Sequence, residues 1–120
     1  MGAPVVHFDL YGKDAAALQE FYEKAFDWHV DTNNPMNYGL VDTGAGSGIN
    51  GGISSNEHMD NGTIVYIEAH DPQAMLDKVV SLGGEVVMPV MEGPITLALF
   101  KDPAGNVVGL VKTQGMPSIR

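Results

Sequence analysis

Two stretches of this 120-residue chain repeat each other at a spacing of 57. Phe8-Asp9-Leu10-Tyr11 leads to Asp14 and then to a helical run containing Ala17 and Leu18. Val65-Tyr66-Ile67-Glu68 leads to Asp71 and then to a helical run containing Ala74 and Met75. The same shift pairs Asp14 with Asp71, Val30 with Val87, Gly48 with Gly105, and His7 with Ile64. A chain made of two copies of one unit is tightly constrained, because each copy must form what the other forms. Function then turns on which polar residues the two copies carry on equivalent faces.

The alternation of residues 4–11 predicts a strand. Val6, Phe8 and Leu10 fall on one face, and Val5, His7, Asp9 and Tyr11 on the other. Asp14 is placed to cap a helix that runs to about Phe26, with Leu18, Phe21, Tyr22 and Ala25 as its buried stripe. Strands follow at Trp28–Thr32, Asn37–Thr43 and Ile49–Ser54, the last two joined by a glycine-rich hairpin. Residues 55–62 are polar and link the copies. The second copy opens with a strand at Thr63–Ala69. Asp71-Pro72 starts its helix, with Met75, Leu76, Val79, Val80 and Leu82 expected to be buried, and Gly83-Gly84 ends it. Strands at Glu85–Met88, Thr96–Lys101 and Val107–Lys112 complete the pattern. The expected fold is α+β: two βαβββ modules, about 4–54 and 62–112, in one domain whose curved mixed sheets enclose an open cleft.

Fifteen acidic residues stand against six basic ones, a formal net charge of -9. A nucleic-acid partner needs a Lys/Arg surface, so none is expected, nor is an anionic membrane surface. The sole arginine is Arg120. An anionic ligand would therefore lack a bidentate clamp, which favours a neutral or cationic one. No apolar run approaches the roughly 20 residues of a spanning helix. The N-terminal Met-Gly-Ala-Pro has no signal-peptide character, and the chain has no cysteine, so a cytoplasmic location is expected.

Further residues carry a family resemblance. They are His7, Asp14…Phe21-Tyr22…Phe26-Asp27-Trp28, Asp71…Gly83-Gly84, and Asp102-Pro103-Ala104-Gly105-Asn106…Gly109-Leu110. With the paired βαβββ pattern, these make the chain resemble the vicinal oxygen chelate superfamily, which includes glyoxalase I, bleomycin-resistance proteins and extradiol dioxygenases. Pro35-Met36…Gly48-Ile49-Asn50-Gly51-Gly52-Ile53 is similar to a glyoxalase-like branch. The resemblance implies a divalent ion held by one residue from the first strand and one from the last strand of each copy. The first-strand position of copy one matches His7. Its counterpart in copy two is Ile64, and the last-strand positions are Gly52 and Gly109. None of these three can ligate, so no cofactor is expected. If a metal binds, it takes His7 with Glu68 or Asp9.

The alternation also places Tyr66 and Glu68 on the face equivalent to that of Asp9 and Tyr11. The candidate ligand-binding set is therefore His7, Asp9, Tyr11, Tyr66 and Glu68. His29, His58 and His70 read as structural or solvated. Trp28 reads as core, and Tyr38 as a residue that could stack on a planar ligand. Single chains of this family commonly pair, so a homodimer is expected. Three functions follow. One is a metal-independent binding protein of the bleomycin-resistance type. The others are a divalent-metal lyase or dioxygenase of the glyoxalase type, and a metal-free acid–base enzyme using His7, Asp9 or Glu68.

Overall fold

The computed structural model describes residues 2–34, 38–56 and 59–112. Its elements run β1 (Val5–Gly12), α1 (Ala15–Phe26), β2 (His29–Asp31), β3 (Gly39–Asp42), β4 (Gly51–Ser54), β5 (Asn61–Glu68), α2 (Pro72–Ser81), β6 (Glu85–Met91), β7 (Thr96–Lys101) and β8 (Val107–Lys112). This is the α+β order of two βαβββ repeats. The chain divides into two compact units. Among the described residues, one holds 7–63 and the other holds 64–112 together with 2–6.

In the first unit the strand order is β2-β3-β4-β1, antiparallel except for the parallel β4–β1 pair. In the second it is β6-β7-β8-β5, antiparallel except for the parallel β8–β5 pair. The 57-residue echo is kept in the register. Asp9 lies opposite Gly52, and Tyr66 lies opposite Gly109. Leu10 faces Ile53, as Ile67 faces Leu110.

Both helices begin as the sequence predicts. The Asp14 carboxylate accepts from the Ala17 amide at 3.1 Å, and the Asp71 carboxylate from the Ala74 amide at 3.1 Å. Each satisfies an amide that has no partner within its helix. Asp71→Ala is expected to cost about 1 kcal/mol in urea unfolding, with Asp71→Asn close to wild type. A loss below about 0.3 kcal/mol would mean that the cap contributes nothing.

The buried faces differ in part from expectation. On α1, Phe21 is 58% exposed and Ala25 is also exposed, whereas Gln19 is buried. The helix is turned so that the Gln19 amide reaches the Ile53 carbonyl at 2.8 Å. Gly39 makes room for it: a Cβ there would lie 2.5 Å from Gln19 Nε2. Tyr22 stacks on Trp28 with ring centroids 5.2 Å apart, and Trp28 also meets Phe8 and Phe26. Trp28 thus belongs to the packing of this unit. In the second unit Met75, Leu76 and Val79 pack as expected, against a core of Ala69, Ala98, Phe100 and Leu110. Val80 and Leu82 instead point outward, Leu82 being 71% exposed. They lie at the end of α2, where the chain turns into Gly83 at φ 102°.

Strand β6 continues past Met88 to Met91, through Pro89. It is the outermost strand of its unit, and its pairing with β7 shifts register between Val86 and Met88 and again between Met88 and Met91. Irregular outer strands are where a residue without an N–H is tolerated. Among the described residues, no helix is long and apolar enough to cross a membrane.

Candidate functional site

Strand alternation sets His7, Asp9 and Tyr11 on one face of β1. That face is the better covered one: His7 and Asp9 are each 6% exposed, whereas Val6, Phe8 and Leu10 are only partly buried. Burying polar groups this deeply requires that they satisfy one another. His7 Nε2 lies 3.1 Å from Asp9 Oδ1. The Tyr11 hydroxyl donates to Asp9 Oδ2 at 2.9 Å.

A fourth residue completes the group. Tyr38, just before β3, donates its hydroxyl to Asp9 Oδ1, and its hydroxyl oxygen lies 2.9 Å from His7 Nε2. The phenol hydrogen is committed to the carboxylate, so the bond with His7 runs from Nε2–H to the phenol oxygen. The network therefore fixes the imidazole with its hydrogen on Nε2. Tyr38 is itself held by Asn34. The Asn34 amide donates to the Tyr38 carbonyl at 2.7 Å and accepts from the Tyr38 N–H at 3.0 Å.

Burial, followed by the charge of Asp9, its hydrogen bond and Tyr11, pushes the Tyr38 hydroxyl far above the ordinary value of 10.0. It stays a donor at physiological pH. Below pH 10 the folded and unfolded states both hold this proton. Above it the unfolded chain ionises first, so stability falls as pH rises, by up to about 1.4 kcal/mol per unit. Urea melts across the alkaline range are expected to show this component in wild type and not in Tyr38→Phe. Parallel curves for the two proteins would contradict it.

Tyr38 occupies a particular place. A Cβ built on Gly52 would collide with the Tyr38 hydroxyl and the end of its ring. The second unit has a counterpart. A Cβ on Gly109 would collide with the ring of Tyr66, which is 6% exposed. Both last-strand glycines named above are thus roofed by tyrosine, and Ile64 is a core residue at 2% exposure. These positions do not fit a metal. Among the described residues, no three His, Asp, Glu or Cys side chains are grouped to hold one.

Of the residues expected to form the site, His7, Asp9 and Tyr11 are joined in one network in the first unit. Tyr66 and Glu68 lie in the second. There Tyr66 packs over Gly109, and the Glu68 amide donates to the Pro4 carbonyl at 2.9 Å. His29 and His70 are exposed, and His58 lies outside the described residues. The bonding role of Tyr38 was not visible in the sequence, which suggested only stacking. The available signal was the Gly51-Gly52 pair opposite β3, a space that a neighbouring large side chain would fill.

The sequence model of the Glyoxalase/Bleomycin resistance protein/Dioxygenase superfamily matches residues 5–110. The chain belongs to this superfamily. It is 32% identical over 113 residues to the protein named "Putative glyoxylase CFP32" in Mycobacterium bovis and in Mycobacterium tuberculosis. The match covers 85% of this chain and 42% of those proteins, so the chain spans less than half the length of the curated relatives it matches. Its fold is shared with methylmalonyl-CoA epimerase from Mycobacterium tuberculosis, at TM-score 0.66 and 17% identity over 90% of this chain and 86% of the epimerase. A superfamily member from Vibrio splendidus 12B01 has TM-score 0.63 and 14% identity, covering 92% of this chain and 98% of that one.

Proposed function

We propose that this chain is a metal-independent member of its superfamily that binds a small neutral or cationic molecule. The observation that carries this reading is Tyr38. Its phenol fills the space above Gly52 and bonds both His7 and Asp9, where a metal-dependent site would need a carboxylate and an ion. The net charge of -9 and the lack of any arginine before Arg120 favour a ligand without negative charge. Buried polar groups tied together by hydrogen bonds are rigid and suit recognition, since little order has to be imposed on binding.

A second reading has an observation of its own. Asp9 lies 3.1 Å from His7 Nε2 and orients the imidazole, as a carboxylate does for a general base. A metal-free acid–base enzyme would use that pair. A homodimer is proposed as well, and the exposed Phe21, Phe26 and Leu82 support it. Analytical ultracentrifugation giving a monomer at micromolar concentration would remove that element.

Elemental analysis of the purified protein tests the main reading. Substoichiometric Ni, Zn, Mn and Fe are expected, and one equivalent of any of them would overturn it. Thermal-shift screening against aromatic cations and against α-oxoaldehydes then separates binding from glyoxalase-type chemistry. Stabilisation by the cations, lost in Asp9→Asn, is the expected result. Turnover of an α-oxoaldehyde by the metal-free protein would favour the acid–base enzyme.

A further inference from the structure

We infer that Tyr38 is a plug in a latent divalent-cation site. Its phenol oxygen occupies the point on which side chains from positions 7, 9 and 52 converge. The inference rests on the metal-independent reading and names the residue that enforces it.

Three observations place the plug. The phenol oxygen lies 2.9 Å from His7 Nε2 and is hydrogen-bonded to Asp9 Oδ1, so it links the two atoms an ion would link. Gly52 is opposite Asp9 in the parallel β1–β4 pair, and a Cβ on Gly52 points into the same hydroxyl. The backbone of Tyr38 is fastened on both sides by the Asn34 amide, which holds the ring in place.

The chemistry of the phenol makes the closure effective. A cation at this point would need the lone pair of Nε2. The phenol oxygen instead accepts a hydrogen from Nε2, which keeps the imidazole in the tautomer that cannot ligate there. Its hydroxyl gives the carboxylate a donor, so Asp9 needs no ion to stabilise it. Glycine at 52 and tyrosine at 38 also depend on each other. A carboxylate at 52 cannot enter while the ring is present, and without the ring a void stands beside two buried polar side chains. Removing the ring and adding the carboxylate together would supply an imidazole and two carboxylates, a donor set suited to Zn2+ with water completing a tetrahedron.

The test is Zn2+ titration by calorimetry, with thermal stabilisation by Zn2+ as a second readout. The Tyr38→Ala/Gly52→Glu protein is expected to bind Zn2+ at least about 30-fold more tightly than wild type. Gly52→Glu alone is expected to show no gain, because the ring remains. Adding His7→Ala to the double variant is expected to abolish the gain. If the double variant does not fold, Tyr38→Ala is compared with Tyr38→Phe, which keeps the ring. A tighter Zn2+ affinity in the alanine variant supports the plug, and equal affinities overturn it. A folded double variant with wild-type Zn2+ affinity overturns the plug alone. One equivalent of Zn2+ bound by the wild-type protein overturns both the plug and the metal-independent reading.

Discussion

Replacing Asp9 by alanine is expected to lower the unfolding free energy by about 4 kcal/mol. Asp9 is 6% exposed, and its carboxylate accepts from Tyr11, Tyr38 and His7. Alanine offers none of these groups an acceptor. The Tyr11 and Tyr38 hydroxyls would lose this acceptor in a place water reaches poorly, while His7 keeps its bond to the Tyr38 oxygen, and each buried unsatisfied group costs about 1–3 kcal/mol. Some of that is recovered as the hydroxyls rotate towards other acceptors, which keeps the total below the simple sum. Asp9→Asn should cost less, about 1–2 kcal/mol, because the amide keeps one acceptor and the hydroxyl on its other side can reverse its role. Tyr11→Phe should cost about 1 kcal/mol, since it removes the hydroxyl's bond to Asp9. Urea unfolding of the three variants measures the order. If Asp9→Ala costs no more than Tyr11→Phe, Asp9 is not the hub of the network.

Gly109→Ala is expected to cost about 3 kcal/mol. Gly109 is buried on β8 opposite Tyr66, and its added methyl would enter the Tyr66 ring. Tyr66 is 6% exposed, in an interior that packs densely, so the strands must separate or the rotamer must strain. Gly44→Ala is the matching control. Gly44 has φ 65° and nothing within 4 Å of a built Cβ, so that change carries only the left-handed penalty of about 1 kcal/mol. Comparable losses for the two variants would show that the ring does not cover Gly109. Gly52→Ala should fall between them in stability. The ring it meets is carried by a residue outside the strands, and the main damage would be to the bonds with His7 and Asp9.

The two predictions share a cause. In each unit the strand that pairs in parallel with the first one carries a glycine, and an aromatic ring rests on it. Glycine in a strand interior is unfavourable by itself, because it packs nothing and loses the most freedom on folding. A ring laid across it restores buried contact, the cross-strand compensation known for sheet glycines. In the second unit the ring comes from the directly opposite residue, Tyr66. In the first unit that place holds Asp9, so the ring comes from Tyr38 and brings a hydroxyl to the carboxylate. A single exchange between the copies, aspartate for tyrosine at the echoed position, separates a polar network from an aromatic cover.

The sequence by itself determined the repeat, and with it the order of elements. The 57-residue echo, the two aspartate caps and the Gly83-Gly84 stop are local signals, and local signals suffice where a short stretch decides its own conformation. It also determined that His7, Asp9 and Tyr11 share a face, because strand alternation is a property of consecutive residues. What it could not determine was rotation and reach. The outward turn of Phe21 depends on Gln19 finding a carbonyl 34 residues away, and periodicity weighs only apolar residues. The role of Tyr38 depends on its crossing 29 residues of sequence to Asp9 and filling the space above Gly52. An absent side chain is visible in a sequence, but the group that occupies its volume is chosen by packing in three dimensions. For that reason tertiary structure alone decided that the phenol of Tyr38 fills the space beside His7 and Asp9.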